Sequence, residues 1–322
     1  MKPTVRLVVA IATLSLILAA CGTASGTLGP VPTLTPTASP STGPSEPDLT
    51  PGPSATPAPS TDPSSSPQVE PSASPTGTMI VRSYFYLEGV PGSAGLVPYL
   101  FVVPETKGVA SAAISALLDS SVVQRDGFAH ISSAIPAGTK LLGLTIKSGV
   151  ATVDLSSEFE SGGGSLSART RLAQVVYTLT QFSTVHSVLF QIEGTTVTVF
   201  GSEGVVLDGP QARADYLDLL PSLFVDRPAF AAALGNPGRV AGSGQGIWEA
   251  AFRITLLDGA GRTIVDQQAM AACMCESGAF DVTVQYDVPK AQWGTLRVWA
   301  GSAKDGSPIS VREYPVWLTP AG

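Results

Sequence analysis

Apolar side chains recur along this chain with distinct periods, and each period predicts a different kind of segment. Leu7 to Ala20 is an uninterrupted uncharged run behind Lys2 and Arg6. It is too short for a spanning helix, which needs about 20 apolar residues, and it fits the apolar region of a secretory signal over residues 1–20. From residue 79 to 219 alternation and helical spacing take turns. Strands are predicted at Ile80 to Leu87 and at Leu96 to Val103, closed by Pro104. Val109, Ala112, Ala113, Ala116 and Leu117 follow helical spacing. Lys140 to Lys147 and Val150 to Leu155 flank Ser148-Gly149, which reads as a tight hairpin turn. A second helix carries Leu172, Val175, Val176 and Leu179, extended by Phe182. Ser165 stands where an N-cap belongs, and Arg169, Thr170, Gln174 and Thr178 fall elsewhere on the wheel and are expected in solvent. Ser187 to Ile192 and Thr196 to Phe200 flank one more turn. Strands interrupted by two helices predict an α+β module with its helices on one face of a sheet.

Beyond residue 220 no helical stripe remains. Trp248, Ala250, Phe252, Ile254 and Leu256 alternate with Glu249, Ala251, Arg253 and Thr255, the signature of a strand with one buried face. Thr263 to Met270, the Phe280-Val282-Val284-Tyr286 alternation, Leu296 to Ala300 and Ile309 to Leu318 continue the series. Short strands separated by close turn signals predict an all-β sandwich over 220–322. Gly242-Ser243-Gly244-Gln245-Gly246 reads as a loop ahead of the Trp248 strand.

Residues 21–78 show no period at all. Positions 22–78 hold 14 Pro, 22 Ser plus Thr and 6 Gly, with no aromatic residue, Lys or Arg. Such a segment buries too little apolar area to offset chain ordering, so a disordered tether is predicted. Its reach lies between about 40 Å for a flexible coil and about 180 Å for continuous polyproline II. Composition then narrows the function. The chain has 18 Lys plus Arg against 25 Asp plus Glu, a net charge of −7. That argues against nucleic acid as a partner, because phosphate binding needs a basic face. Two histidines and three cysteines leave little material for a metal centre, and neither a metal nor another cofactor is expected.

Three sets of residues carry resemblances. Leu18-Ala19-Ala20-Cys21-Gly22, behind a basic start and an apolar run, resembles the lipobox of bacterial lipoproteins. The resemblance implies thioether linkage of Cys21 to diacylglycerol, cleavage before it and acylation (palmitate) of the new terminus. It places the protein on the extracytoplasmic face of the cell membrane. Removal of Lys2 and Arg6 leaves a charge of −9, so attachment would rest on acyl chains, without attraction to anionic lipid. Ala134-Ile135-Pro136-Ala137-Gly138-Thr139-Lys140-Leu141-Leu142-Gly143, then Gly149 to Phe159, then Gly162-Gly163-Gly164-Ser165 leading into Leu172 to Thr180, closely resembles the GerMN domain. That domain is known from spore-germination and sporulation lipoproteins. Trp248-Glu249-Ala250, Leu257 to Gly261, Ser277 to Phe280, Gly294 to Val298 and Ser302 to Pro308 resemble the immunoglobulin-like domain of bacterial spore germination. Trp248 stands where that family more often has Phe. Together the resemblances imply a GerMN-like domain at 79–219 and an immunoglobulin-like domain at 220–322.

Candidate chemistry is sparse. Cys273 and Cys275 point to the same side of an extended segment. A local disulfide, free thiols, and a redox or metal site all stay open for them. The Gly162–Ser165 loop could cradle an anion ahead of a helix, but no Lys follows at phosphate-loop spacing. Asp154, Glu158 and Glu160 supply carboxylates for acid–base work, yet they fit a solvated connection better. His130 and His186 stand without a G-x-S-x-G elbow. The expectation is a lipid-anchored, non-enzymatic binding or assembly protein of the cell envelope, with the membrane and envelope proteins or cell-wall polymer as partners. A germination or sporulation role is implied by resemblance alone. A cell-wall or glycan-active enzyme and a solute-binding lipoprotein are the competing readings.

Overall fold

The computed structural model describes residues 77–89, 93–119, 121, 130–273, 275 and 277–321. The signal segment, Cys21 and the tether up to residue 76 lie outside the described residues.

In the first module, β1 (Thr78–Leu87) and β2 (Gly95–Pro104) pair antiparallel along their whole length. Helix α1 (Val109–Leu118) forms where predicted and buries Ala113 and Leu117 of the expected stripe together with Ile114, which the spacing does not include, while Val109, Ala112 and Ala116 are half-buried. The two-residue strand β3 (Ile131–Ser132) joins the far end of β1, giving the order β2-β1-β3. Strands β4 (Leu141–Lys147) and β5 (Val150–Leu155) form the predicted hairpin. Ser148 and Gly149 turn it with φ of 51° and 84°, the positive pair that matches strand twist. Helix α2 (Ser165–Leu179) then crosses over to β6 (Ser187–Ile192), which lies parallel to β5. Strand β7 (Thr195–Thr196) completes the sheet β4-β5-β6-β7. The predicted strand Thr196 to Phe200 breaks in the middle, and β8 (Val199–Phe200) pairs instead with β9 (Val205–Val206).

The module therefore has two main sheets where one was expected, and α2 packs against strands of both, β1 and β6. This placement overturns the expected solvation of the helix's polar face. Thr170, Gln174 and Thr178 are buried, and Arg169 is half-buried. Among the described residues strand β1 has only β3 on its second edge, and α2 with the turn after it supplies further partners with side chains. Gln174 Nε2 donates to Tyr84 O (2.9 Å), Thr178 Oγ1 accepts from Tyr84 N (3.1 Å), and Gln181 Nε2 donates to Arg82 O (2.7 Å). Gln174 Oε1 also accepts from Ala134 N at 2.8 Å. A polar stripe at positions 174, 178 and 181 thus does the work of a strand edge, because a buried backbone N–H or C=O left unpaired costs about 1–3 kcal/mol. Ser165 is a second correction. It is the first helical residue, Gly164 holds the cap position in extended backbone without a side-chain bond, and Ser165 Oγ donates to Glu203.

The second module is a sandwich of two sheets, β10-β12-β15 and β11-β17-β16-β13-β14. Its strands are β10 (Leu223–Arg227), β11 (Ala233–Leu234), β12 (Gly238–Gly244), β13 (Ala251–Leu257), β14 (Thr263–Met270), β15 (Gly278–Val284), β16 (Gln292–Gly301) and β17 (Pro308–Leu318). Two expectations change here. The strand read from Trp248 begins at Ala251; Trp248 sits in a short 3₁₀ turn with its side chain exposed, while Phe252, Ile254 and Leu256 are buried as predicted. The expected loop at Gly242–Gly246 begins inside β12, the central strand of the small sheet. Glycine is needed there because a Cβ on Gly242 would lie 1.9 Å from Phe224 O of β10. One continuous hydrophobic core runs through both modules.

Candidate functional site

Where the modules meet, strand ends of each are held by polar groups of the other. Arg312 of β17 is 2% exposed. Its Nη1 donates to Ser93 O (2.6 Å), and its Nη2 donates to Leu96 O (2.8 Å) and Gly95 O (3.4 Å). Ser93 Oγ donates back to Val311 O. Phe230 N donates to Pro98 O at 2.8 Å, which joins Tyr99 and Phe230 in a parallel bridge on the outer edge of β2. Asp226 of β10 accepts from Arg82 Nη1 (2.9 Å) and from Tyr84 OH (2.5 Å). Phe224 packs its ring on those of Tyr84 and Tyr177. Burial, helped by repulsion from Asp226 and opposed by Arg213 and Arg82, pushes the Tyr84 hydroxyl up to about 12. Burial pushes Tyr177 up as well and holds the Arg312 guanidinium below its ordinary value.

A cleft of about 390 Å³ opens beside this seam. Tyr177, Arg213 and Leu217 of the first module line it opposite Phe224, Arg227, Arg239, Ala241 and Ser243 of the second. The space exists because Ala241 and Ser243, two residues apart on one face of β12, are small. Arg213 is fixed at its inner end: Nε donates to Thr180 Oγ1 (2.8 Å), Nη2 to Tyr177 O (3.2 Å), and the guanidinium stacks 4.6 Å over the Tyr177 ring. Arg239 forks onto Asp281, with Nε donating to Oδ1 at 2.7 Å. That ion pair, aided by the charge of Arg227, holds the Asp281 carboxyl below its usual range.

A second feature lies on the other side of the Phe230 bridge. Outward-facing backbone groups on β2 fall on alternate residues, Pro98, Leu100 and Val102. Val102 is 72% exposed and sits across from Ile80, itself 64% exposed. Leu100, Val102, Pro104, Ala112 and Ala116 line an apolar groove of about 720 Å³ between this edge and α1.

The residues singled out from sequence do not converge on either feature. Asp154 Oδ1 accepts from Gly194 N at 2.9 Å and so pins a turn. Glu158 is exposed, and its carboxyl is held below the usual range by a hydrogen bond from Ser156. His130 and His186 are exposed, one just before β3 and the other just before β6. The Gly162–Ser165 loop turns carbonyls, not amides, toward a charge. Arg171, 2% exposed, donates to Phe159 O (2.6 Å), Ser161 O (2.9 Å) and Gly162 O (2.7 Å). That arrangement suits a cation, and the protein supplies its own. Cys273 and Cys275 are joined as a disulfide in the turn after β14. Cys21 lies outside the described residues. Sequence reasoning passed over Asp226, Arg213, Arg227 and Arg312. Only Arg312 left a signal, a charge on the buried register of an alternating strand with Tyr314, Val316 and Leu318.

Residues 83–198 match the Germane family model, described as sporulation and spore germination. Residues 222–307 match the immunoglobulin-like domain of bacterial spore germination. No match is found among curated proteins. Among solved structures, the first GerMN domain of the sporulation protein GerM from Bacillus subtilis is 22% identical over 42% of this chain and 99% of that one, with a TM-score of 0.37. The tandem GerMN domains of the same protein are 16% identical over 65% of this chain and 62% of that one, with a TM-score of 0.39. A putative lipoprotein from Clostridium perfringens is 18% identical over 45% of this chain and 95% of that one, with a TM-score of 0.30.

Proposed function

We propose that this chain, whose residues 83–198 and 222–307 match family models of sporulation and spore germination, is a lipid-anchored assembly module gripping a partner protein on the extracytoplasmic face of the cell membrane. Its tether would lift the two modules off the membrane, and the acylated Cys21 would moor them. The observation that carries the reading is the outer edge of β2. That edge already accepts one chain segment by backbone pairing at Phe230. Beyond the bridge it runs on to Val102 beside an apolar groove. Among the described residues no further strand pairs with β2 there, and an unpaired strand edge beside an apolar groove is the surface that an extended segment of another protein adds to: backbone bonds give affinity and the groove selects side chains.

Proximity labelling from the anchored protein in intact cells tests partner and compartment together. The expected result is a small set of envelope proteins whose labelling falls when Val102→Asp places a charge on the edge. Labelling that is diffuse, or unchanged by Val102→Asp, overturns the binding role. Cys21→Ser tests the anchor: processed protein should leave the membrane fraction, with processing followed by mass.

A further inference from the structure

The seam cleft carries an excess of positive charge in a chain whose net charge is −7. Three guanidiniums line it, those of Arg213, Arg227 and Arg239, with one lining carboxylate, Asp226, and a second, Asp281, held behind Arg239. Asp226 is taken by Arg82 and Tyr84, and Asp281 by Arg239. Among the described residues no carboxylate bonds Arg213, and the Arg227 side chain makes no hydrogen bond; its charge helps hold the Asp281 carboxyl below its usual range. Arg213 is anchored by Nε and Nη2, so it is already ordered and Nη1 is left to meet a ligand. An immobilised guanidinium loses little further entropy on binding an oxyanion, and its planar fork matches a carboxylate. The walls beside the charges are the Tyr177 ring, Leu217 and Phe224. Apolar walls favour an anion that carries an apolar neighbour over a bare inorganic ion.

We infer that this cleft receives an acidic side chain of a partner protein, its carboxylate bridging Arg213 and Arg227 and an adjoining apolar residue lying against Tyr177 and Leu217. The inference rests on the protein-binding reading above and names the chemistry of the partner at a second point of contact. The cleft works as a charge-selective pocket, because its own two carboxylates are neutralised in place. Binding there also depends on both modules being docked, since Arg213 and Arg227 come from opposite sides of the seam.

The test uses the full chain in detergent and a labelled hexapeptide of alternating Glu and Leu, read by fluorescence anisotropy. A Gln–Leu hexapeptide is the neutral control. The expected result is binding about tenfold tighter for the Glu peptide at low salt, weakening as ionic strength rises. Arg227→Glu should abolish that preference. Arg227→Lys, which keeps the charge and loses the fork, should cost about threefold. The Arg227 side chain is exposed and makes no hydrogen bond within the described residues, so its variants are expected to fold. Equal binding of the two peptides, or an unchanged preference in Arg227→Glu, overturns the inference. Displacement of the peptide by phosphatidylglycerol vesicles with the same Arg227 dependence also overturns it, because the occupant would then be a lipid phosphate. In cells, partner labelling lost in Val102→Asp but kept in Arg227→Glu sinks the cleft and leaves the edge reading standing. Loss in both variants supports the cleft.

Discussion

Two arginines, Arg171 and Arg312, are buried to the same degree by the same chemistry, and they do different jobs. Each donates from both terminal nitrogens to three backbone carbonyls, and neither has a carboxylate partner among the described residues. Each leaves its Nε without a partner. Burial holds both guanidiniums below their ordinary value. The difference lies in reach along the chain. Arg171 binds carbonyls 9 to 12 residues away and orders one glycine-rich loop. Arg312 binds carbonyls 216 to 219 residues away and fastens one module to the other. Carbonyl dipoles can thus replace a counter-ion in either setting, but only the long-range clasp makes two modules unfold as one.

The largest expected effect follows from that difference. Arg312→Met strands the Ser93, Gly95 and Leu96 carbonyls in a seam where Gly95 and Leu96 are fully buried. A loss of about 3 kcal/mol or more is expected, since hydrogen bonds to charged groups contribute about 1.5–3 kcal/mol each. Calorimetry should show the single transition splitting in two as the modules uncouple. Arg171→Met should cost less, about 2 kcal/mol, because Ser161 and Gly162 are exposed and water can replace the guanidinium at their carbonyls. Its transition should shift without splitting. The opposite pattern breaks the comparison.

The seam also depends on strand β10 keeping Phe224 and Asp226 in register, and that register depends on Gly242. Gly242→Ala drives a methyl into Phe224 O, so β10 must shift away from β12. Backbone cannot yield as a flexible side chain does, and a loss of about 2–3 kcal/mol is expected. Chemical denaturation checks it. Stability within a few tenths of the parent would mean that the seam tolerates a moved β10.

Much of this fold is written in period. Strands β5, β6, β13, β15, β16 and β17 bury alternate residues, so their alternation shows in the sequence, and the other predicted strands and both helices are legible from apolar content and spacing even where burial is not one-sided. The rest is not legible for identifiable reasons. Strand β12, Gly238–Gly244, has glycine at three of seven positions, so the alternation that marks a strand is blank where backbones approach closely. Strand β10 is five residues ending in Asp-Arg, and its polar end points into the seam. The polar face of α2 reads as solvated because local sequence does not show that β1 needs partners there. The candidate site suffers most: Tyr84, Arg213, Asp226 and Arg227 lie far apart in the chain, and only the docking of two modules gathers them.

Gln174 sharpens the comparison from the other side, since it stitches elements within one module by neutral bonds. Gln174→Leu keeps the volume and strands Tyr84 O and Ala134 N. About 2 kcal/mol is expected, below Arg312→Met because neutral hydrogen bonds are weaker than charge-assisted ones. Equilibrium denaturation should show one transition, displaced, with the seam intact. An effect equal to that of Arg312→Met would mean that the neutral stitch matters as much as the charged clasp.

The smallest effect is the most diagnostic, because its sign changes with pH. Tyr84 OH donates to Asp226 across the seam at 2.5 Å, and its folded pKa is raised to about 12 from 10.0. A tyrosine whose folded pKa is raised contributes stability that is fully present below pH 10 and is lost as pH rises from 10 toward 12. Near neutrality Tyr84→Phe should be less stable than the parent by about 1.5 kcal/mol, the low end for a hydrogen bond to a charged group, because Asp226 keeps Arg82. Above pH 10 the parent loses about 1.4 kcal/mol per pH unit through this one group, and the phenylalanine variant does not. Tyr216 and Tyr314 shift without any contribution from Tyr84 and cancel in the difference, whereas Tyr177 loses in the variant a small repulsion from Tyr84. The two stability curves should therefore converge near pH 11 when urea midpoints are measured from pH 8 upward. Parallel curves would mean that the Tyr84 hydroxyl is not desolvated against Asp226, and that the seam around it admits water in a way the Arg312 clasp does not.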